Sequence, residues 1–163
     1  MGSRVAQVGV AFGMDVVARS AHLDPGHAKS LGVTPVSKRI LLATSDVVTL
    51  HIRLSPRTVG LIGTDELALM RPDTLLINTS RAPVVDEKAL LAALHAGTVG
   101  DAALDVHSTE PLPTDSPWRS APRTVLTPHL GYVTADAYEI FYRDPLADIL
   151  ACSAGEPVRL LTP

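Results

Sequence analysis

The sequence predicts an α/β fold, a doubly wound parallel sheet with helices between its strands. Two observations carry that expectation. Short runs rich in Val, Leu, Ile and Ala alternate with longer stretches of helical periodicity, and each run closes on turn or cap residues. The runs are also nearly continuous in apolar character, as strands covered on both faces require.

Taken in order, Arg4 to Phe12 places apolar residues at helical spacing, and Gly13 supplies a stop. A strand is expected over Asp15 to Ala18. Weaker helices fit Ser37 to Ala43 and Asp65 to Leu69, with a strand between them at Val47 to His51. Thr74 to Ile77 reads as the next strand. Asp86 then caps a helix to His95 that turns Ala89, Leu90, Ala93 and Leu94 to the core and ends at Gly97. Val99 to Leu104 and Thr124 to Leu126 complete the strands. Between them, Glu110 to Pro122 holds Pro111, Pro113, Pro117 and Pro122, which predicts a long, stiff surface loop. Trp118 in that loop is a candidate for packing across a subunit interface. The last helical pattern, Thr134 to Ser153, contains Pro145, expected to break or kink it near Asp144. Tyr138, Phe141 and Tyr142 share one of its faces, which suggests core or interdomain packing.

With 163 residues, 46% of them hydrophobic, the chain can bury one sizeable core, and a single domain is the expectation. Its net charge of −3, without a basic block, argues against a nucleic-acid partner. No apolar run reaches the roughly 20 residues that span a bilayer. The opening MGSRVAQVGVAFGM lacks the charged, apolar and cleavage regions of a secretory signal in that order. Cys152 stands alone, so it forms no internal disulfide and reads as a small buried apolar side chain. A cytoplasmic location follows as the expectation, with no membrane partner. His22, His27, His51, His95 and His107 share no metal-ligand spacing, and no metal is expected.

In an open parallel sheet, ligands bind beyond the carboxyl ends of the strands. Arg81 follows LLINTS, Asp105 and Glu110 follow VGDAALDV, and His129 follows TVLTP. An ionised group at a buried strand end must be paired or solvated, so such groups after three successive strands suggest chemistry. Arg81 can bind a carboxylate through two parallel hydrogen bonds and polarise an adjacent carbonyl. His129 can exchange a proton near neutral pH, and Glu110 can hold its imidazole in one tautomer.

The segments LLINTSRAPVVDEKALLAAL, AALDVHSTEPLP and VLTPHLGYVT resemble the Arg, Glu and His segments of the NAD-dependent D-2-hydroxyacid dehydrogenases, and DVVTLHIRLSPRTVGLIGTDELALMRPDTLLINTSR matches them in order and spacing. The resemblance implies a Rossmann-like sheet and an oxidoreductase acting on 2-hydroxy or 2-oxo acids with NAD or NADP. It implies Arg81 as substrate anchor, His129 as general acid and base, and Glu110 as support for His129. Asp105 would lie beside the nicotinamide carboxamide, with Thr79, Ser80, His129 and Gly131 along the cofactor. A homodimer is implied as well.

Four departures from the family pattern accompany the resemblance. Gly2 resembles only the last glycine of the family's G-x-G-x-x-G turn, so the first strand and most of that turn are expected to be missing. Ser20, preceded by Arg19, stands where the family carries an acidic residue for the adenosine ribose, which leaves NADP open beside NAD. The family's substrate domain is expected to be missing save for GEPVRLLTP, which resembles its C-terminal return. This gives a dinucleotide-binding domain over 1–153, truncated at its start, and a return segment over 154–163. Ala82 and Arg53 stand where the family commonly has Gly and Pro. An isolated chain of this kind is expected to be weakly active or inactive. The alternative is a non-catalytic module of the same fold that binds dinucleotide or dimerises, as some dehydrogenase-like corepressors do.

Overall fold

A computed structural model of the chain describes residues 1–160. Residues 1–129 and residues from 130 onward form two compact units, each taken by itself below.

In the first unit, helix α1 (Gly2–Ala11) leads through Gly13, at φ +77, to strand β1 (Val17–Ala18). Helix α2 (Pro25–Ser30) follows, capped by Asp24, whose Oδ1 accepts from the Gly26 amide at 2.9 Å. Strand β2 (Thr34–Pro35), helix α3 (Lys38–Thr44) and strand β3 (Val47–Leu50) come next, and the Ser37 hydroxyl caps α3 through the Ile40 amide. Helix α4 (Thr64–Leu67), strand β4 (Leu75–Asn78), helix α5 (Glu87–Ala96), strand β5 (Asp101–Leu104) and strand β6 (Thr124–Leu126) complete it. Asp86 Oδ1 accepts from the Lys88 and Ala89 amides, each at 3.0 Å, and Gly97 ends α5 in the left-handed conformation at φ +71. That boundary follows the sequence at both ends.

Every strand pairing is parallel, but the sheet is in two pieces, β1-β2 and β3-β4-β5-β6. β5 comes unusually close to the chain entering β4. A Cβ on Gly100 would lie 2.8 Å from the Asp73 carbonyl carbon, which leaves glycine as the residue that fits. Leu76, Leu90 and Leu94 are fully buried and anchor a core shared by Leu42 of α3, Leu67 of α4 and the inner face of the four-stranded sheet. Each such leucine contributes about 1.5–3 kcal/mol by leaving water.

Coverage of the strands departs from expectation. Val48, Leu50, Leu76, Asn78, Ala102 and Leu104 are buried under α3, α4 and α5, whereas on the opposite face Val47 is 44% exposed and Val125 65%. Burial therefore alternates along strands whose composition does not. Trp118, expected at a subunit interface, is 5% exposed and packs into this chain's own core from a 3-10 turn (Pro117–Ser120) in the proline-rich loop. β2 and α2 escape sequence reading because a two-residue strand and a six-residue helix are too short to show a period.

The second unit is built on helix α6 (Ala135–Ser153), capped by the Thr134 hydroxyl, which accepts from the Ala137 amide at 3.2 Å. Pro145 does not end it. The proline costs the Phe141 carbonyl its partner, and Phe141 is 53% exposed, where water can take that role. The rings of Tyr138 and Tyr142 stand 5.9 Å apart and those of Tyr132 and Phe141 6.0 Å. All four remain about half exposed or more, so the predicted aromatic face is present but forms no core. Cys152 is exposed rather than buried, since α6 buries none of its residues. Of the segment 154–163, residues 161–163 lie outside the described residues. No helix of the described residues is long and apolar enough to cross a membrane.

Candidate active site at the carboxyl ends of the strands

The carboxyl ends of β4, β5 and β6 lie side by side, because the ladder continues past each strand. The Asp105 amide donates to the Asn78 carbonyl at 3.0 Å, and the Thr127 amide to the Leu104 carbonyl at 3.0 Å. The loops that carry Arg81, Glu110 and His129 leave from these ends.

Asn78, the last residue of β4, is 1% exposed and shapes the first loop. Its Oδ1 accepts from the Ser80 amide and the Ser80 hydroxyl, each at 3.0 Å, while Nδ2 donates to the Arg81 carbonyl at 3.1 Å. The bend leaves Thr79 and Arg81 exposed and Ser80 partly so. Arg81 Nη1 donates to the Ser80 carbonyl at 2.6 Å. Ala82 is buried at the start of a 3-10 turn (Ala82–Val84), and its φ lies outside the left-handed region, so the backbone does not demand glycine there. Replacing Asn78 by Ala is expected to cost about 1–3 kcal/mol, since the part-buried Ser80 amide and Arg81 carbonyl lose their partner. Urea unfolding checks the loss, and amide exchange at Ser80 locates it.

Beyond β5, Asp105 is 7% exposed and its Oδ1 accepts from the Thr127 hydroxyl at 2.5 Å. Glu110 returns toward the same end. Its Oε1 accepts from the His107 amide at 2.8 Å, and its Oε2 meets His129 Nδ1 at 2.8 Å. Both partners of that pair are about one-third exposed. His129 holds φ +59, a strained backbone for a non-glycine residue, which aims the ring back at Glu110. The His107 amide first, and His129 second, hold the Glu110 carboxyl below its ordinary value of 4.5. A depressed carboxylate stabilises the fold above the unfolded-state value and loses that contribution as pH falls through the folded value. The wild-type chain should therefore lose stability in acid below about 4.5 by a step that Glu110→Gln lacks. Paired urea titrations from pH 6 to 3 measure the difference.

Two residues of this region escaped sequence reading. Asn78 is the polar end of an otherwise apolar run, the signal that could have found it. His107, 7% exposed, joins the β5 and β6 ends, its Nε2 donating to the Thr127 carbonyl at 3.2 Å. Because a carbonyl only accepts, the proton sits on Nε2.

The residues assigned to the dinucleotide fall in two places. Thr79, Ser80, Asp105 and His129 share the edge just described, whereas Gly2, Arg19 and Ser20 line a cavity of about 620 Å³ between β1 and β3. Gly2 opens α1, whose first amides have no side-chain cap, and Arg19 and Ser20 follow β1 as exposed residues. Gly131 lies in a turn of the second unit. Among the described residues no cluster of His, Cys, Asp and Glu converges as a metal site.

Residues 1–131 match the family described as D-isomer specific 2-hydroxyacid dehydrogenase, NAD binding domain. The chain is 40% identical over 156 residues to D-3-phosphoglycerate dehydrogenase of Mycobacterium bovis, covering 96% of this chain and 29% of that protein. It is 40% identical over 136 residues to glyoxylate reductase of Aeropyrum pernix, covering 83% of this chain and 41% of the relative. Among solved structures, phosphoglycerate oxidoreductase from Vibrio cholerae superposes with a TM-score of 0.87 at 35% identity, over 94% of this chain and 50% of that one. The chain thus spans half or less of the length of each of these three.

Proposed function

The chain belongs to the D-isomer specific 2-hydroxyacid dehydrogenase family, as its NAD-binding domain, and from that premise we propose that it supplies one wall of the active site of an oxidoreductase that interconverts D-2-hydroxy and 2-oxo acids. The observation that carries this reading is the Glu110–His129 pair at 2.8 Å, on the same sheet edge as Arg81.

The residues fit a dinucleotide. An uncapped helix start, a guanidinium and a hydroxyl at one cavity match phosphate and ribose groups, and hydroxyls at Thr79 and Ser80 continue along the edge. Ser20 in place of an acidic residue, with Arg19 just before it, suits a 2′-phosphate, so NADP stands beside NAD as cofactor. When bound, the nicotinamide carries the hydride. His129, with Nδ1 engaged by the Glu110 carboxylate, keeps its proton on that nitrogen and exchanges a second one with the substrate oxygen at Nε2. Arg81 binds the substrate carboxylate, and Asp105, fixed by Thr127, bounds the nicotinamide end. Gly131 lines the cofactor, and the working assembly is a homodimer whose second domain completes the cleft.

Replacing Arg81 by Ala, in a protein that pairs this chain with the substrate domain of a relative, should lower kcat/KM for 2-oxo acid reduction about 10²-fold or more. Turnover within a few-fold of wild type for every 2-oxo acid would remove Arg81 from the site. A protein that binds dinucleotide and reduces none of them would instead be a binding module.

A further inference from the structure

His107 is buried at the sheet edge, and the chemistry proposed above gives its side chain no part. The surroundings do not favour an imidazole. Nε2 donates to the Thr127 carbonyl at 3.2 Å, while Nδ1 is buried without a hydrogen-bond partner. With the proton on Nε2, Nδ1 is an acceptor shut away from water, and such a group costs as much as one hydrogen bond returns, or more. For stability alone an apolar ring would serve as well. It would also fit, because His107 borders a cavity of about 360 Å³ between α5 and the proline-rich loop, lined in part by Leu91, Leu112 and Trp118.

What the imidazole supplies is a link between two loops. The His107 amide donates to Glu110 Oε1 at 2.8 Å, and Glu110 Oε2 meets His129 Nδ1 at 2.8 Å. The His107 ring holds the Thr127 carbonyl, two residues before His129. That second contact reaches His129 through few free bonds. The direction of the carbonyl sets the peptide plane entering Pro128, and the pyrrolidine ring of Pro128 locks the next φ. His129 follows at φ +59, a backbone uncommon outside glycine. One residue thus fixes the carboxylate with its amide and the loop of the imidazole with its ring. The Thr127 amide and hydroxyl are held separately, by the Leu104 carbonyl and by Asp105, so the end of β6 stays anchored when the His107 ring is changed.

The structure assigns His107 as a positioning residue that aligns the His129 imidazole on the Glu110 carboxylate. Its effect on turnover rests on the dehydrogenase reading, whereas the alignment itself is measured without substrate. The test compares the wild-type chain with His107→Phe and with His107→Gln, which keeps a donor for the Thr127 carbonyl. Nitrogen NMR shifts of the His129 ring, recorded at a pH where imidazoles are neutral, report which nitrogen carries the proton. The wild type should show one tautomer, protonated on Nδ1. His107→Phe should unfold at the same urea concentration or a higher one, yet mix both tautomers, and His107→Gln should restore the single form. In the two-domain protein His107→Phe should lower kcat about tenfold or more and leave KM within about two-fold. A wild type that already mixes the tautomers, or a Phe variant that keeps the single one, would overturn the assignment. So would a Phe variant that loses it only together with urea stability and a Gln variant that does not restore it, since His107 would then be a structural brace. A freed tautomer with kcat unchanged would uphold the alignment and remove His129 from the chemistry, so the two readings fail separately.

Discussion

Replacing His129 by Ala should lower 2-oxo acid reduction about 10²–10⁴-fold in the two-domain protein, the range a positioned general acid contributes. Nδ1 contacts Glu110 at 2.8 Å, and the proposed proton exchange with the substrate takes place at Nε2, so the loss should fall mainly on kcat. Steady-state rates across pH check it. A substitution that raised KM while sparing kcat would make His129 a binding residue and undo its assignment as the acid.

The second large effect concerns stability. Leu76 is fully buried at the middle of the four-stranded sheet, on the face covered by α3, α4 and α5. Truncating it to Ala removes apolar contacts and leaves a cavity, at a cost of about 2–5 kcal/mol. Domains of this size are stable by about 5–15 kcal/mol, so the loss is a large share of the margin. Urea unfolding with an unchanged slope and a lower midpoint is the expected result. The same truncation at Val125, 65% exposed on the opposite face, should move the midpoint far less.

The contrast between those two positions shows what the sequence carried. Continuous apolar runs located the parallel strands other than β2, and a cap at Asp86 with a stop at Gly97 set the bounds of α5, because these signals are local. Which face the helices cover is not local, and composition alone pointed to both. The site divides in the same way. Arg81, Glu110 and His129 were legible as polar groups following apolar runs, and the partnership of Glu110 with His129, 19 residues apart along the chain, was anticipated from their side-chain chemistry. The clamp of Asn78 on the Ser80–Arg81 bend gave no pattern beyond one polar residue ending a strand. Trp118, in the proline-rich loop, was expected at a subunit interface by analogy with the family's pairing, yet the turn at Pro117–Ser120 folds it inward. Cys152 looked buried because its type usually is, and α6 buries nothing.

The measurement closest to the central claim is the thermal unfolding of this chain alone, with and without NADH and, separately, NADPH at millimolar concentration. A ligand that binds the native state raises the midpoint by mass action, by about 1.4 kcal/mol at ten times its dissociation constant. The proposed function predicts an upward shift with at least one of the two, and NADPH acting as strongly as NADH would fit Arg19 and Ser20 beside the ribose. A cooperative transition that neither dinucleotide moves would contradict it.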